Sequence, residues 1–168
     1  MVKKAIINTN MLDWNVRTSI NRFSRFRSVQ CHYEVCYLWK FSKLFPGMLT
    51  YVKSVAQLVA YLTRYDEVCY KCTDNCNGCC LTDHLILDCP RAAPIRANIT
   101  NGIYKKFGQH VYNCITHLER SEYVNTLLGV YHPVVEASLP VGSCYDDLLQ
   151  LLFVHMHHVC RIGRSQNE

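Results

Sequence analysis

The chain has 168 residues, of which 49% are hydrophobic and 18% are charged. This composition supplies enough apolar side chains for one compact core, and it excludes the disordered, collagen-like and coiled-coil classes. The formal net charge of +5 is uneven, because residues 1–50 carry eight Lys or Arg against two acids. A basic amino-terminal third suits contact with an anionic partner such as nucleic acid, although a solvated basic arm has the same composition.

The 11 cysteines indicate whether the protein belongs in a reducing or an oxidising compartment. No run of about 18 apolar residues occurs, and the start MVKKAIINTN turns polar before a signal-peptide core forms. We therefore expect no membrane span and no secretory signal. An odd number of cysteines without a signal predicts free thiols or thiolate metal ligands in a reducing compartment.

Strands and helices alternate in the pattern of apolar residues. Aromatic and β-branched runs predict three buried strands, over residues 33–39, 84–87 and 110–115. Helical spacing of apolar residues predicts four helices, over residues 48–64, 98–107, 119–131 and 145–158. We therefore expect an α/β fold with a central, mostly antiparallel sheet flanked by helices and an extra carboxy-terminal helix.

The sharpest local motif is the spacing of Cys76, Cys79, His84 and Cys89, which are the ligand types and intervals of a zinc knuckle. Three thiolates and one imidazole would give zinc a closed tetrahedral site. Six cysteines lie between positions 69 and 89, so a chance match in a structural loop of free thiols is the alternative.

A second motif is the His155-Met156-His157 triplet, which rolling-circle endonucleases use on a strand to hold a divalent metal. Here it falls on a predicted helix with no tyrosine after it, which favours packed or solvent-facing histidines. No Walker loop, dinucleotide glycine fingerprint or nucleophile elbow is present. We therefore expect a protein that is not an enzyme and has no certain cofactor, with zinc as the one candidate.

Two basic segments flank the first two predicted strands, one with Arg25 and Arg27 and the other with Arg91 and Arg96. If both strands share a sheet, the two loops emerge together and their guanidinium groups can straddle a DNA groove. Two unrelated surface loops are the alternative.

The strings Ser121-Glu122-Tyr123-Val124 and Tyr131 to Gly142 resemble the closing segment of the polyomavirus large T antigen origin-binding domain. Cys144 to Leu152 is similar to the first helix of that family's next domain. The resemblance implies the viral replication-initiator fold, binding of double-stranded DNA at a replication origin, and location in the host nucleus. It also implies two DNA-contacting loops, formed by Arg25, Arg27, Ser28, Arg91, Arg96 and Asn98.

A rival resemblance is to the lentiviral accessory protein Vpr, carried by Phe107 to Tyr112, Gln150 to His155 and Cys160-Arg161. It implies a viral adapter that recruits host proteins and contains a structural zinc site.

We expect a basic segment over residues 1–22, a domain over 23–142 with a cysteine-rich insert at 69–80, and a carboxy-terminal helix and tail over 143–168. That helix has an apolar stripe, which packs on the domain or pairs with a second copy and consists of Leu148, Leu151, Leu152 and Met156.

Overall fold

The structure, a computed structural model, describes residues 37–61 and 81–164, and in these ranges the chain is helical and contains no strand. Its helices are α1 (Tyr37–Leu44), α2 (Leu49–Tyr61), α3 (Ala93–Thr116), α4 (Arg120–Leu127), α5 (Pro133–Ser138) and α6 (Tyr145–Arg164). Short helical turns also occur, at Pro46–Met48, Leu81–Asp83, His84–Asp88 and Pro90–Ala92. No helix in the described ranges has the length and apolar composition needed to cross a membrane.

Helix α6 forms the centre of the bundle. Its side chains at Leu148, Leu152, Phe153 and Met156 are fully buried. The apolar stripe predicted from the sequence therefore packs within the chain, against α2 and α3. Burying such side chains contributes about 1.5–3 kcal/mol each, so α6 makes a large contribution to core stability.

Two sets of contacts give the directions of the helices around α6. Ser54 and Gln57 of α2 bond to His157 and Cys160 of α6, each pair 103 residues apart, so these helices run parallel. At the first turn of α6 the ammonium group of Lys106 lies 3.8 Å from the Asp147 carboxylate. Lys106 is in the second half of α3, whereas the amino end of α3 lies beside the carboxy-terminal half of α6. Helices α3 and α6 are therefore antiparallel.

Helix α3 has a buried apolar residue at every fourth position: Ile99, Ile103, Phe107, Val111 and Ile115. This spacing places all five on one side of the helix, against the core. A kink interrupts the helix at Gly108, whose φ of 86° and ψ of 177° belong to a backbone region that is essentially restricted to glycine.

The predicted α/β fold with a central sheet is wrong for the described residues. Tyr37 begins α1 within the run predicted as the first strand, and residues 33–36 lie outside the described ranges. The segment predicted as the second strand is the helical turn His84–Asp88, and the third, at 110–115, is the carboxy-terminal part of α3. A short run of β-branched and aromatic residues does not distinguish a strand from a buried helix, and here tertiary packing favours the helix.

Each of the four predicted helices overlaps a helix of the structure, although the bounds differ. The helix predicted over 145–158 is α6, which continues to Arg164. The helix predicted over 98–107 is part of the longer α3, and the one predicted over 119–131 ends at Leu127 as α4. The helix predicted over 48–64 is α2 up to Tyr61, and residues 62–64 lie outside the described ranges.

Candidate functional site

The residues predicted to contact DNA are not arranged as two loops of a sheet. Arg25, Arg27 and Ser28 lie outside the described residues. Arg91 is exposed in the helical turn Pro90–Ala92, and Arg96 lies in the first turn of α3. The predicted second loop is wrong, because residues 90–98 form a helical turn and the start of a helix.

Arg96 has a structural contact. Its guanidinium donates a hydrogen bond of 2.9 Å to the carbonyl oxygen of Cys89, which joins α3 to the turn before it. This bond occupies one edge of a half-buried guanidinium group. Asn98, one turn further along α3, is exposed, and its side chain lines a cleft against α6.

The predicted zinc ligands are divided between described and undescribed residues. Cys76 and Cys79 lie outside the described ranges, whereas His84 and Cys89 are both buried. The backbone N–H of Cys89 donates a hydrogen bond of 2.7 Å to the carbonyl oxygen of His84, which closes the turn that carries them. No group of three metal-ligating side chains occurs among residues 37–61 and 81–164. The four-residue zinc site stays a prediction.

His155 and His157 face two different helices. The Nδ1 atom of His157 lies 2.7 Å from the Oγ atom of Ser54 on α2. His155 instead lines the cleft against α3, beside Gly102, where an added Cβ atom would lie 3.5 Å from its Nε2 atom. The pair therefore does not converge on one point, as a shared metal ion would require.

A cleft of about 340 Å³ lies between the amino end of α3 and the carboxy-terminal half of α6, and we call it the α3/α6 cleft. Its lining residues are Ile95, Asn98, His155, His158, Arg161 and Ile162. Burial, together with the charge of His158, lowers the pKa of His155, so its imidazole is neutral at pH 7. The four polar side chains can all donate hydrogen bonds.

A second feature is a surface of low charge between α4 and α6. From residue 131 to 142, eight residues are exposed and only one of them is charged. We call them the 131–142 surface; they are Tyr131, Pro133, Val134, Glu136, Ala137, Pro140, Val141 and Gly142. Val134 is 59% exposed and Val141 is fully exposed, although apolar side chains of this size are usually withdrawn from water.

The 131–142 surface is held by a buried tyrosine. The hydroxyl of Tyr145 donates a hydrogen bond of 2.8 Å to the carbonyl oxygen of Val130 and accepts one of 3.2 Å from the backbone N–H of His132. Burial raises the pKa of Tyr145 to about 12. The side chain of Val135, on the inner side of α5, is fully buried. The backbone that presents the exposed residues is thus fixed at both its start and its centre.

The sequence predicted Asn98 as a DNA contact and singled out residues 131–142 only through a family resemblance, and it did not place Arg161 or His158 beside Asn98. These side chains line one cleft only because α3 and α6 run antiparallel, which no local pattern encodes. The low charge of the 131–142 surface, in contrast, is visible in the sequence as a stretch with Glu136 as its one charged residue.

No protein family, curated protein or solved structure matches this chain. The resemblances to large T antigen and to Vpr therefore have no independent support from these comparisons.

Proposed function

We propose that this chain is a non-catalytic adapter that binds another protein through the 131–142 surface. The observation that carries the proposal is the exposure of eight neighbouring residues with a single charge among them. Exposed apolar groups of this kind, bordered by polar residues, are typical of protein-binding sites. Tyr131 adds an aromatic side chain, a residue type enriched among those that dominate binding energy.

The ordered backbone of the 131–142 surface also supports a role in protein binding. A surface that is already ordered loses little conformational entropy when it binds, so more of the contact energy is available for affinity. The two hydrogen bonds of the Tyr145 hydroxyl fix the backbone on both sides of Tyr131. Pro133 at the start of α5 restricts the backbone further.

The charges around the surface indicate the chemistry of the partner. Glu136 accepts a hydrogen bond from the Tyr131 hydroxyl, and the carboxylate of Glu122 lies 3.9 Å from the Nε2 atom of His132. Two carboxylates are therefore present, that of Glu136 within the surface and that of Glu122 beside it. A partner that fits has an apolar groove bordered by Lys or Arg.

The experiment compares the intact chain with two variants of the surface, Val134→Asp and Val141→Asp. Each tagged protein is incubated with an extract of the cells that express it, and the retained proteins are quantified by mass spectrometry. Burying an aspartate against an apolar groove is unfavourable, so we expect a defined set of proteins to be retained at least tenfold less by both variants.

The matched control is Leu44→Asp, because Leu44 is 69% exposed on α1, which packs against α2. We expect this variant to retain the same proteins as the intact chain, with circular dichroism showing that all variants are folded. Equal retention by the intact chain and the Val134 and Val141 variants contradicts the proposal, as does loss of the same proteins from the Leu44 variant.

DNA binding is a second proposal, supported by the net charge of +5 and the basic first fifty residues. The absence of a sheet from the described ranges removes the reason for two adjacent contact loops. The test is fluorescence anisotropy of a labelled random duplex, titrated in salt. A steep linear fall of log affinity with log salt supports this proposal, and absence of binding at low salt contradicts it.

A further inference from the structure

We propose that the α3/α6 cleft binds the phosphate group of a small phosphorylated molecule. The cleft is separate from the 131–142 surface. Asn98 lines it near the amino end of α3, whereas Cys114, near the other end of that helix, contacts the carbonyl oxygen of Val134. These positions are roughly 24 Å apart along the helix. The phosphate site is therefore a property of the chain in addition to protein binding.

The lining supplies one fixed positive charge together with neutral hydrogen-bond donors. Arg161 has a permanent charge and a planar fork of N–H groups that matches two phosphate oxygens. The amide of Asn98 and the imidazoles of His155 and His158 can donate to the remaining oxygens. These four side chains belong to two helices, α3 and α6, that line the same cleft.

The cleft also lacks groups that would repel an anion. No carboxylate lines it among the residues that the structure describes. Within those same residues, Arg161 has no ion-pair partner. The cleft lies beside the first turn of α3, where the positive end of the helix dipole favours anions as well.

The dimensions favour a small ligand over a polynucleotide. A volume of about 340 Å³ is at the lower end of the range for small-molecule pockets. Ile95 and Ile162 add apolar walls that can contact the organic part of a phosphate monoester. A nucleic-acid backbone would instead need an extended groove with several positive charges in line.

The experiment follows the ring C2–H signals of the histidines by proton NMR while inorganic phosphate is added to the full chain at constant ionic strength. We expect saturable shifts of two histidine signals, because His155 and His158 lie in the cleft. Phosphate should bind with millimolar affinity, and chloride at the same ionic strength should produce no saturable shift.

The test variant is Asn98→Asp, which places a carboxylate in the cleft at almost unchanged volume. Its matched control is Asn113→Asp on the same helix, because Asn113 is exposed and its oxygen already accepts a hydrogen bond from Gln109. We expect the first variant to weaken phosphate binding at least tenfold and the second to change it less than twofold.

Three results would overturn the proposal. The first is the absence of a saturable shift at tens of millimolar phosphate, and the second is equal weakening by both variants. The third is a labelled DNA duplex that shifts the same two histidine signals while phosphate does not, which would make the cleft a nucleic-acid contact instead. All three concern α3 and α6 alone, so none of them affects the proposal for the 131–142 surface.

Discussion

The kink in α3 leads to a prediction about Gly108→Ala. The φ of 86° and ψ of 177° at Gly108 are strained for any residue with a Cβ atom, and we expect the variant to lose about 1–3 kcal/mol of stability. An added Cβ atom would meet no other atom within 4 Å, so the loss comes from the backbone alone and not from a clash. In an uninterrupted helix the same substitution would stabilise the protein by about 0.5–1 kcal/mol.

The sign of the stability change caused by Gly108→Ala therefore tests whether α3 is kinked. Urea unfolding followed by circular dichroism measures it, and a loss of 2 kcal/mol lowers the midpoint by about 1 M. The matched control is Gly47→Ala, in the turn Pro46–Met48, where an added Cβ atom also meets nothing and φ is not positive. We expect this control to be unchanged or slightly more stable. A Gly108→Ala protein as stable as the control would refute the kink and the strain argument together.

Three further predictions concern other parts of the molecule. Tyr145→Phe should lose about 1–2 kcal/mol at pH 7, because two hydrogen bonds of a buried hydroxyl are removed. Folding raises the pKa of Tyr145 from 10.0 to about 12, so its hydroxyl stabilises the fold below pH 10 and loses this effect as the pH rises to 12. Chemical unfolding at several pH values should therefore show that the Phe variant loses less stability between pH 10 and 12 than the intact chain. Ser54→Ala removes the partner of the His157 ring and should cost about 1–2 kcal/mol in urea unfolding, and no change would show that the 2.7 Å contact is not a stabilising bond. If the predicted zinc site exists, elemental analysis should find about one zinc per chain and Cys76→Ser should abolish it, whereas Cys144→Ser, at an exposed thiol, should retain it.

A helix is predicted with nearly correct bounds where its whole length has a visible apolar period. Helix α6 begins with acidic residues at Asp146 and Asp147 and has an apolar stripe over its length, so both its start and its buried face are visible in the sequence. Helix α3 shows the opposite case. Its buried residues recur every four positions from Ile99 to Ile115, but a helix predicted over 98–107 and a strand over 110–115 divide this series and hide its period.

The two candidate sites also differ in how far they are visible in the sequence. The 131–142 surface is continuous in sequence, so its low charge could be seen before its exposure was known. The α3/α6 cleft joins Asn98 to Arg161, and only the antiparallel packing of two helices brings them together. Buried contacts such as the bond from Arg96 to the Cys89 carbonyl also depend on the fold, because an arginine in a basic segment looks free to bind DNA until its neighbours are known.

The central claim is that the 131–142 surface contacts another protein, and site-specific photo-crosslinking tests it most directly. Benzoylphenylalanine is placed at position 134 in one protein and at position 44 in another, since Val134 and Leu44 are similarly exposed on different helices. After irradiation in the expressing cells, we expect a defined crosslinked partner from position 134 and none of that partner from position 44. No crosslink from position 134, or the same crosslinks from both positions, would contradict protein binding through the 131–142 surface.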